Sequence, residues 1–443
     1  MRELFTDVAV LAALAAIAAG RLPRLRMNRA TIALAAAALL VAAGSIGLEE
    51  AFAAIDLGTV CLLLSMMVIV ANLRLSGFFE AAGAKLLAAA RGPRQLLALV
   101  VLASGFLAAL FLNDTVCLML TPLVVELALR SRRDPLPYLV ALATAANVGS
   151  AATIVGNPQN MLIGASSGIP FGRFLLMLGP PSLAGLLVVY LVVVAVFPAE
   201  FRRGEALPVL HGPRARTYGP LLRKSLGAAL LMLVLLFAGV PAPLASLVAA
   251  ALLLVTRRVK PERVFAEVDF SLLVFFAGLF VITKTVEGTG AFRLLVERSM
   301  PLVSGGALAG GASGGATATG TVAAAAGAEG GAAAGLGAGG GAALGRFAVL
   351  TALFSNLVSN VPTVMLFRPL VAWFPDAQKA WLVLAMASTY AGNLTLLGSV
   401  ANLIVAESAK RRGVDLSFGK YLKAGLPITV LTTAIGTLWL LLV

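Results

Sequence analysis

The sequence predicts an all-α polytopic membrane protein of two inverted repeats, each with five spans and one re-entrant hairpin, and with broken helices at the bilayer midplane. Three observations carry this prediction. Of the 443 residues, 60% are hydrophobic and only 12% are charged, which leaves too little polar surface for a soluble chain of this length. The apolar residues fall in runs such as Ile32–Ile46, Leu175–Phe197 and Leu226–Val240, close to the roughly 20 residues that cross a hydrocarbon core. The polar interruptions of such runs recur in matched positions in the two halves.

Met1–Gly20 is apolar but has no basic start and no cleavage site, so it reads as a first span and not as a signal peptide. Basic residues cluster at Arg21/Arg24/Arg26/Arg29, Arg91/Arg94, Arg130/Arg132/Arg133, Arg202/Arg203 through Arg223/Lys224, Arg257/Arg258/Lys260/Arg263 and Lys410/Arg411/Arg412. These loops are assigned to the cytoplasm, and the turns at Glu49-Glu50, Gly168–Pro170 and Gly239–Pro243 to the outside. The net charge of +14 therefore belongs to short loops between spans, which argues against a nucleic-acid partner and for a chain surrounded by lipids in the cell (inner) membrane. Cys61 and Cys117 lie inside apolar segments, so no disulfide framework is expected.

Simple alternation fails at Leu96–Leu129. Both flanks are basic, and the run is too long for one span and is interrupted at Leu112-Asn113-Asp114-Thr115. A hairpin over 95–130 that enters and leaves on the cytoplasmic side resolves the conflict. Non-helical backbone at that depth survives only against protein or a water-filled cavity, which makes the tip a site candidate. The second half repeats the plan over 346–374, with the interruption at Ser359-Asn360-Val361-Pro362-Thr363. An odd number of spans per repeat forces opposite orientations on the halves, a plan common to secondary transporters. The expected organisation is a first repeat over 1–198, a cytoplasmic linker over 199–224 and a second repeat over 225–443. Ile55-Asp56-Leu57 matches Val268-Asp269-Phe270, and Ser76-Gly77-Phe78-Phe79 matches Thr289-Gly290-Ala291-Phe292. The Gly/Ala-rich stretch over 304–345 reads as a low-complexity external loop inserted into the second repeat.

Each half carries a second interruption after its hairpin. Gly156-Asn157-Pro158-Gln159-Asn160 breaks a helix over 138–167, and Gly398-Ser399-Val400-Ala401-Asn402 breaks one over 380–408; Asn157 aligns with Ser399 and Asn160 with Asn402. Gly156 and Gly398 are expected to end a half-helix. Asn157 and Ser399 are expected to cap the next, with Pro158 suited to a first turn. Asp114 or Thr115 can cap the returning arm of the first hairpin, and Asn360 with Pro362 that of the second. Four restarted helices would present free N–H groups and positive dipole ends at mid-membrane, an environment that attracts an anion. Freed carbonyls and side-chain oxygens could hold a cation such as Na⁺.

Phe111-Leu112-Asn113-Asp114-Thr115 with Leu120-Thr121-Pro122, together with Ser359-Asn360-Val361-Pro362-Thr363, resembles the ion transporter superfamily. That group includes citrate-transporter-like permeases, divalent-anion/sodium symporters, arsenite permeases and sodium/proton antiporters. Val268–Phe280 resembles a stretch of the arsenite and antiporter branch, the Asn113-Asp114 tip is similar to arsenite permeases, and Gly156–Asn160 is closer to the anion permeases. The resemblance covers nearly the whole chain outside the Gly/Ala-rich stretch. It implies hairpin tips that contact substrate and Na⁺, and a homodimer.

Together these readings give an ion-coupled secondary transporter for a small anion, carboxylate or oxyanion, working by alternating access. Asn113, Thr115, Asn157, Asn160, Asn360, Thr363, Ser399 and Asn402 are the expected substrate ligands. Asp114, Gly156 and Gly398 are the expected coupling-ion residues, because a carboxylate inside a membrane is costly and marks function by default. No cofactor is expected beyond Na⁺ or H⁺ as coupling ion. An arsenite/antimonite efflux permease and a sodium/proton antiporter stay open as alternatives. Glu126/Arg130 read as an ion pair, Lys284 and Glu287 as residues that snorkel to the interface or pair with each other, Arg368 as an interfacial anchor and His211 as a solvated loop residue. Catalytic triads, zinc-ligand spacing and a P-loop are absent from the sequence, so an enzyme is not expected.

Overall fold

The structure is a computed structural model that describes residues 2–19, 21–22, 27–202, 217–255, 259–290 and 340–443. His211, residues 203–216 of the expected linker and residues 304–339 of the Gly/Ala-rich stretch lie outside the described residues. Regular structure among the described residues is helical, apart from a two-residue antiparallel ladder pairing Arg21–Leu22 with Met27–Asn28. Seven described helices are long and apolar enough to cross a bilayer.

Packing divides the chain into two compact units, and each draws on both halves of the sequence. One comprises Leu57–Phe270 with Ser388–Trp439; the other comprises Met1–Asp56, Ser271–Ala387 and Leu440–Val443.

In the Leu57–Phe270/Ser388–Trp439 unit, Pro93–Leu110 and Asn113–Arg130 form the arms of the first hairpin. Pro93 starts the entering arm, where its missing N–H has no helical acceptor to lose. Pro135–Ser150 and Pro158–Ser167 are the two pieces of the first broken helix. Asp134 caps the first piece by accepting from the Leu136 N–H at 2.9 Å. Every residue from Pro135 to Ser150 is buried, so protein surrounds this largely apolar helix on all sides, its polar Thr144, Asn147 and Ser150 included. Lys224 donates to the carbonyls of Leu253 and Val255 at the end of helix Ala242–Leu254, where a cation favours the negative dipole end. On the basic-loop side, Tyr138 donates to Glu200 at 2.9 Å.

In the other unit, Arg29–Ala42 opens with a capping box between Asn28 and Thr31. It crosses Phe270–Glu287 closely, since a Cβ on Gly278 would stand 2.7 Å from the Ala33 carbonyl carbon. The second hairpin is built from Gly340–Val358, Asn360–Phe367 and a 3-10 turn over Arg368–Trp373. Phe347 and Phe354 pack on Phe367, and Phe347 also packs on Phe374, which ties the arms together. Its entering arm begins at Gly340, so residues 340–345 are helical and not part of a loop. Ala343 and Leu344 are buried there, and that burial outweighs the poor helix propensity of the glycines.

Candidate functional site

The first break is a folded loop with its own hydrogen-bond plan. The helix stops at Ser150, several residues before Gly156, and the next begins at Pro158. The Asn157 side chain accepts from the Asn160 N–H at 2.8 Å and so caps the restart. Asn160 Nδ2 collects the carbonyls that the stopped helix leaves free, with Ser150 O at 3.2 Å and Thr153 O at 2.9 Å. Gly156 therefore does not terminate the half-helix as expected. It closes the loop where a Cβ would stand 2.3 Å from the Ser150 carbonyl oxygen, so only glycine fits.

The second break follows the same plan. Its first piece ends at Ala391, again ahead of the expected glycine, Gly398. Ser399 caps the restart at Val400 by accepting from the Ala401 N–H at 3.3 Å. Asn402 Nδ2 donates to Gly392 O at 2.7 Å and Thr395 O at 3.1 Å. Asn402 thus does for the second break what Asn160 does for the first. Taking up stray carbonyls matters in this setting, because a buried peptide group without a partner costs a few kcal/mol, of order ~1–3.

The tip of the first hairpin is joined to both breaks. The Asn113 N–H donates to Gly156 O at 3.1 Å. Asn113 Nδ2 donates to Asn147 Oδ1 at 3.0 Å, and Ser399 Oγ donates to the same oxygen at 3.1 Å. Asn147 Nδ2 in turn donates to Asn393 Oδ1 at 2.9 Å and Asn402 Oδ1 at 3.0 Å. Asn157, Gln159 and Asn160 all contact the Thr389 hydroxyl. Neither Asp114 nor Thr115 caps the returning arm, contrary to expectation. The arm starts at Asn113, whose own Oδ1 accepts from the Asp114 N–H, and both residues sit half-buried in the first turn. There the Asp114 carboxylate faces the positive end of the helix dipole.

Of the expected ligands, Asn113, Asn157, Asn160, Ser399 and Asn402 belong to one buried cluster within this unit. Sequence reading missed Asn147, Thr389, Asn393 and Gln159. A readable signal existed for Asn147, an amide in the otherwise apolar run Ala145-Ala146-Asn147-Val148 just before the break. The partners of the cluster's side chains are amides, hydroxyls and backbone carbonyls.

Asn360 and Thr363 lie in the other unit and are described there by themselves. Asn360 does not cap the arm but begins it, after Ser359. Ser359 has φ 97° and ψ 156°, a region that glycine alone occupies easily. Thr363 donates both its N–H and its hydroxyl to Ser359 O, at 3.2 and 2.9 Å, and Asn360 Oδ1 is buried with no hydrogen-bond partner. A cavity of about 250 Å³ in this unit is lined by Glu50, Thr283, Lys284, Glu287, Met365 and Arg368. The ion pairs Glu126–Arg130 and Lys284–Glu287 are formed, at 2.6 and 3.4 Å.

Residues 10–391 match the family described as citrate transporter, CitMHS. The chain belongs to the citrate transporter family. It is similar to the silicon efflux transporter LSI3 of Oryza sativa subsp. japonica, with 31% identity over 94% of this chain and 92% of that one. It is also similar to an uncharacterized transporter, Rv2684, of Mycobacterium tuberculosis, with 28% identity over 94% of each. A putative transporter of Dictyostelium discoideum, arsB, is 24% identical over 93% of this chain and 87% of that one. Among solved structures, the YdaH transporter of Alcanivorax borkumensis aligns with a TM-score of 0.49 and 16% identity, over 86% of this chain and 84% of that one. As a citrate transporter family member with seven apolar spans among its described residues, the chain is a multi-pass membrane transporter and not an enzyme.

Proposed function

We propose that this citrate transporter family member is an ion-coupled secondary transporter that moves a small carboxylate or oxyanion by alternating access, with Na⁺ or H⁺ as the coupling ion. The observation that carries the reading is the convergence on Asn147 of the first hairpin tip, through Asn113, and of the second capped helix restart, through Ser399 and Asn402, beside the first restart held by Thr389. Helix starts favour negative charge, and converging amides and hydroxyls suit an oxygen-rich solute. The family's description as citrate transporters supports a carboxylate. In this reading Asp114 holds the coupling cation or proton, which offsets its repulsion of an anionic substrate.

A second reading is efflux of a hydroxylated inorganic acid. It is favoured by a cluster bonded entirely through neutral side chains and backbone, and by a relative named for silicon efflux.

The test is flux in proteoliposomes of purified protein, using citrate, succinate, sulfate, arsenite and silicic acid with an imposed Na⁺ or H⁺ gradient. The expected result is that one solute moves against its own gradient only while the cation gradient lasts. Solute movement that ignores the cation gradient would sink the coupling, and cation exchange without any solute would sink the anion assignment in favour of an antiporter.

A further inference from the structure

Asn147 and Thr389 occupy corresponding places. The sequence offset that carries Asn160 onto Asn402, Ser150 onto Gly392 and Thr153 onto Thr395 also carries Asn147 onto Thr389. The first three correspondences are borne by matched hydrogen bonds, since Asn160 holds the carbonyls of Ser150 and Thr153 and Asn402 those of Gly392 and Thr395. Asn147 and Thr389 behave differently, because each side chain reaches away from the break in its own helix. Asn147, which precedes the first break, bonds Asn393, Ser399 and Asn402 of the second. Thr389, which precedes the second break, bonds Asn157, Gln159 and Asn160 of the first, at 3.2 to 3.4 Å. Both residues are almost completely buried.

We infer that Asn147 and Thr389 are reciprocal positioning residues, each setting the geometry of the break that belongs to the other half of the sequence. Asn147 has no capacity to spare for a ligand. Its Oδ1 accepts two hydrogen bonds and its Nδ2 donates two, which saturates a carboxamide. Its work is therefore to hold other groups in place. The single Thr389 oxygen receives two amide donors and passes its own proton to Asn160 Oδ1. The caps of both restarts, Asn157 and Ser399, are among the groups held, so the orientation of each helix start depends on a residue in the other half. A break that rearranges must release or carry with it the clamp from the opposite half. This inference rests on the proposed function only in taking the two breaks as the substrate site.

Hydrogen exchange measured by mass spectrometry on the full chain in nanodiscs reads the crossing directly. Asn147→Ala is expected to speed exchange over 392–402 about tenfold while leaving 151–160 near wild type. Thr389→Ala is expected to do the reverse. Thr389→Ser keeps the hydroxyl and restores the wild-type pattern, and Asn147→Asp, which loses both donors but keeps the fold's shape, loosens 392–402 alone. An ordinary structural role predicts that each substitution loosens the break in its own helix, or both breaks alike, and either pattern overturns the inference. The exchange arm needs no substrate. Wild-type protein that moves none of citrate, succinate, sulfate, arsenite and silicic acid would refute the proposed solute class, and the crossing would still stand or fall on the exchange pattern.

Discussion

Gly149 meets Gly105 backbone to backbone: a Cβ at position 149 would stand 2.1 Å from the Gly105 carbonyl oxygen and 2.5 Å from its Cα. This crossing fixes the entering arm of the first hairpin on the first broken helix, by the close approach that small residues allow between membrane helices. Gly149→Ala is expected to destabilise by roughly 1–3 kcal/mol or more, since a methyl against backbone cannot be absorbed by a rotamer change. Thermal unfolding followed by size-exclusion chromatography in detergent would show it, and an unchanged midpoint would mean that the helices do not cross at these residues.

Ser359 offers a test of opposite sign. Its φ of 97° strains any side chain, and glycine relieves the strain at no cost in contacts, because the Ser359 side chain makes no cap. Ser359→Gly should raise stability by about 1 kcal/mol, and Ser359→Val should lower it by more. Equal midpoints for the three proteins would rule out strain at the tip of the second hairpin.

Asp114 lies half-buried in the first turn of the returning arm and does not act as its cap. Asp114→Asn should therefore fold normally and yet flatten the dependence of flux on Na⁺ or on pH. Initial rates in proteoliposomes over a range of both cations check this. A variant with wild-type dependence on both removes Asp114 from coupling.

Asn157 has separable duties, as its Oδ1 caps the restarted helix while its Nδ2 donates to Ser150 and Thr389. Asn157→Ala loses both and should cost roughly 1–3 kcal/mol, from the missing cap and the unpaired groups left behind. Asn157→Asp keeps the acceptor and should retain part of that loss. If Ala and Asp melt together, the cap contributes nothing.

Parts of this arrangement were readable in the sequence because they violate a strong rule. A polar triplet such as Asn113-Asp114-Thr115, or an Asn-Pro pair inside an apolar run, is hard to place in lipid unless the chain turns or breaks there. The caps Asn157 and Ser399 followed from helix-start chemistry alone. The ends of the preceding helices did not follow. Gly156 marks where backbone must pass closely, and that point falls at the end of its loop instead of its beginning; Gly398 likewise stands just ahead of the second restart and not at the end of the helix before it. Thr389 was invisible for another reason. It lies inside a continuous helical stretch, where one polar side chain carries no periodic signal and its partners are more than two hundred residues away. The helical start at Gly340 was masked by composition, since Ala343 and Leu344 gain from packing what their glycine neighbours lose in propensity.

That one compact unit joins Leu57–Phe270 to Ser388–Trp439 has a bearing on biogenesis. Asn147, Asn157 and Asn160 leave the ribosome long before Thr389, Asn393 and Asn402. While translation continues, the Asn147 Nδ2 waits in or beside the translocon for its acceptors on Asn393 and Asn402, whereas Asn160 Nδ2 already has the carbonyls of Ser150 and Thr153. A chaperone, a lipid headgroup or water must shelter that amide in the interval, and a premature stop before Ser388 would strand it permanently.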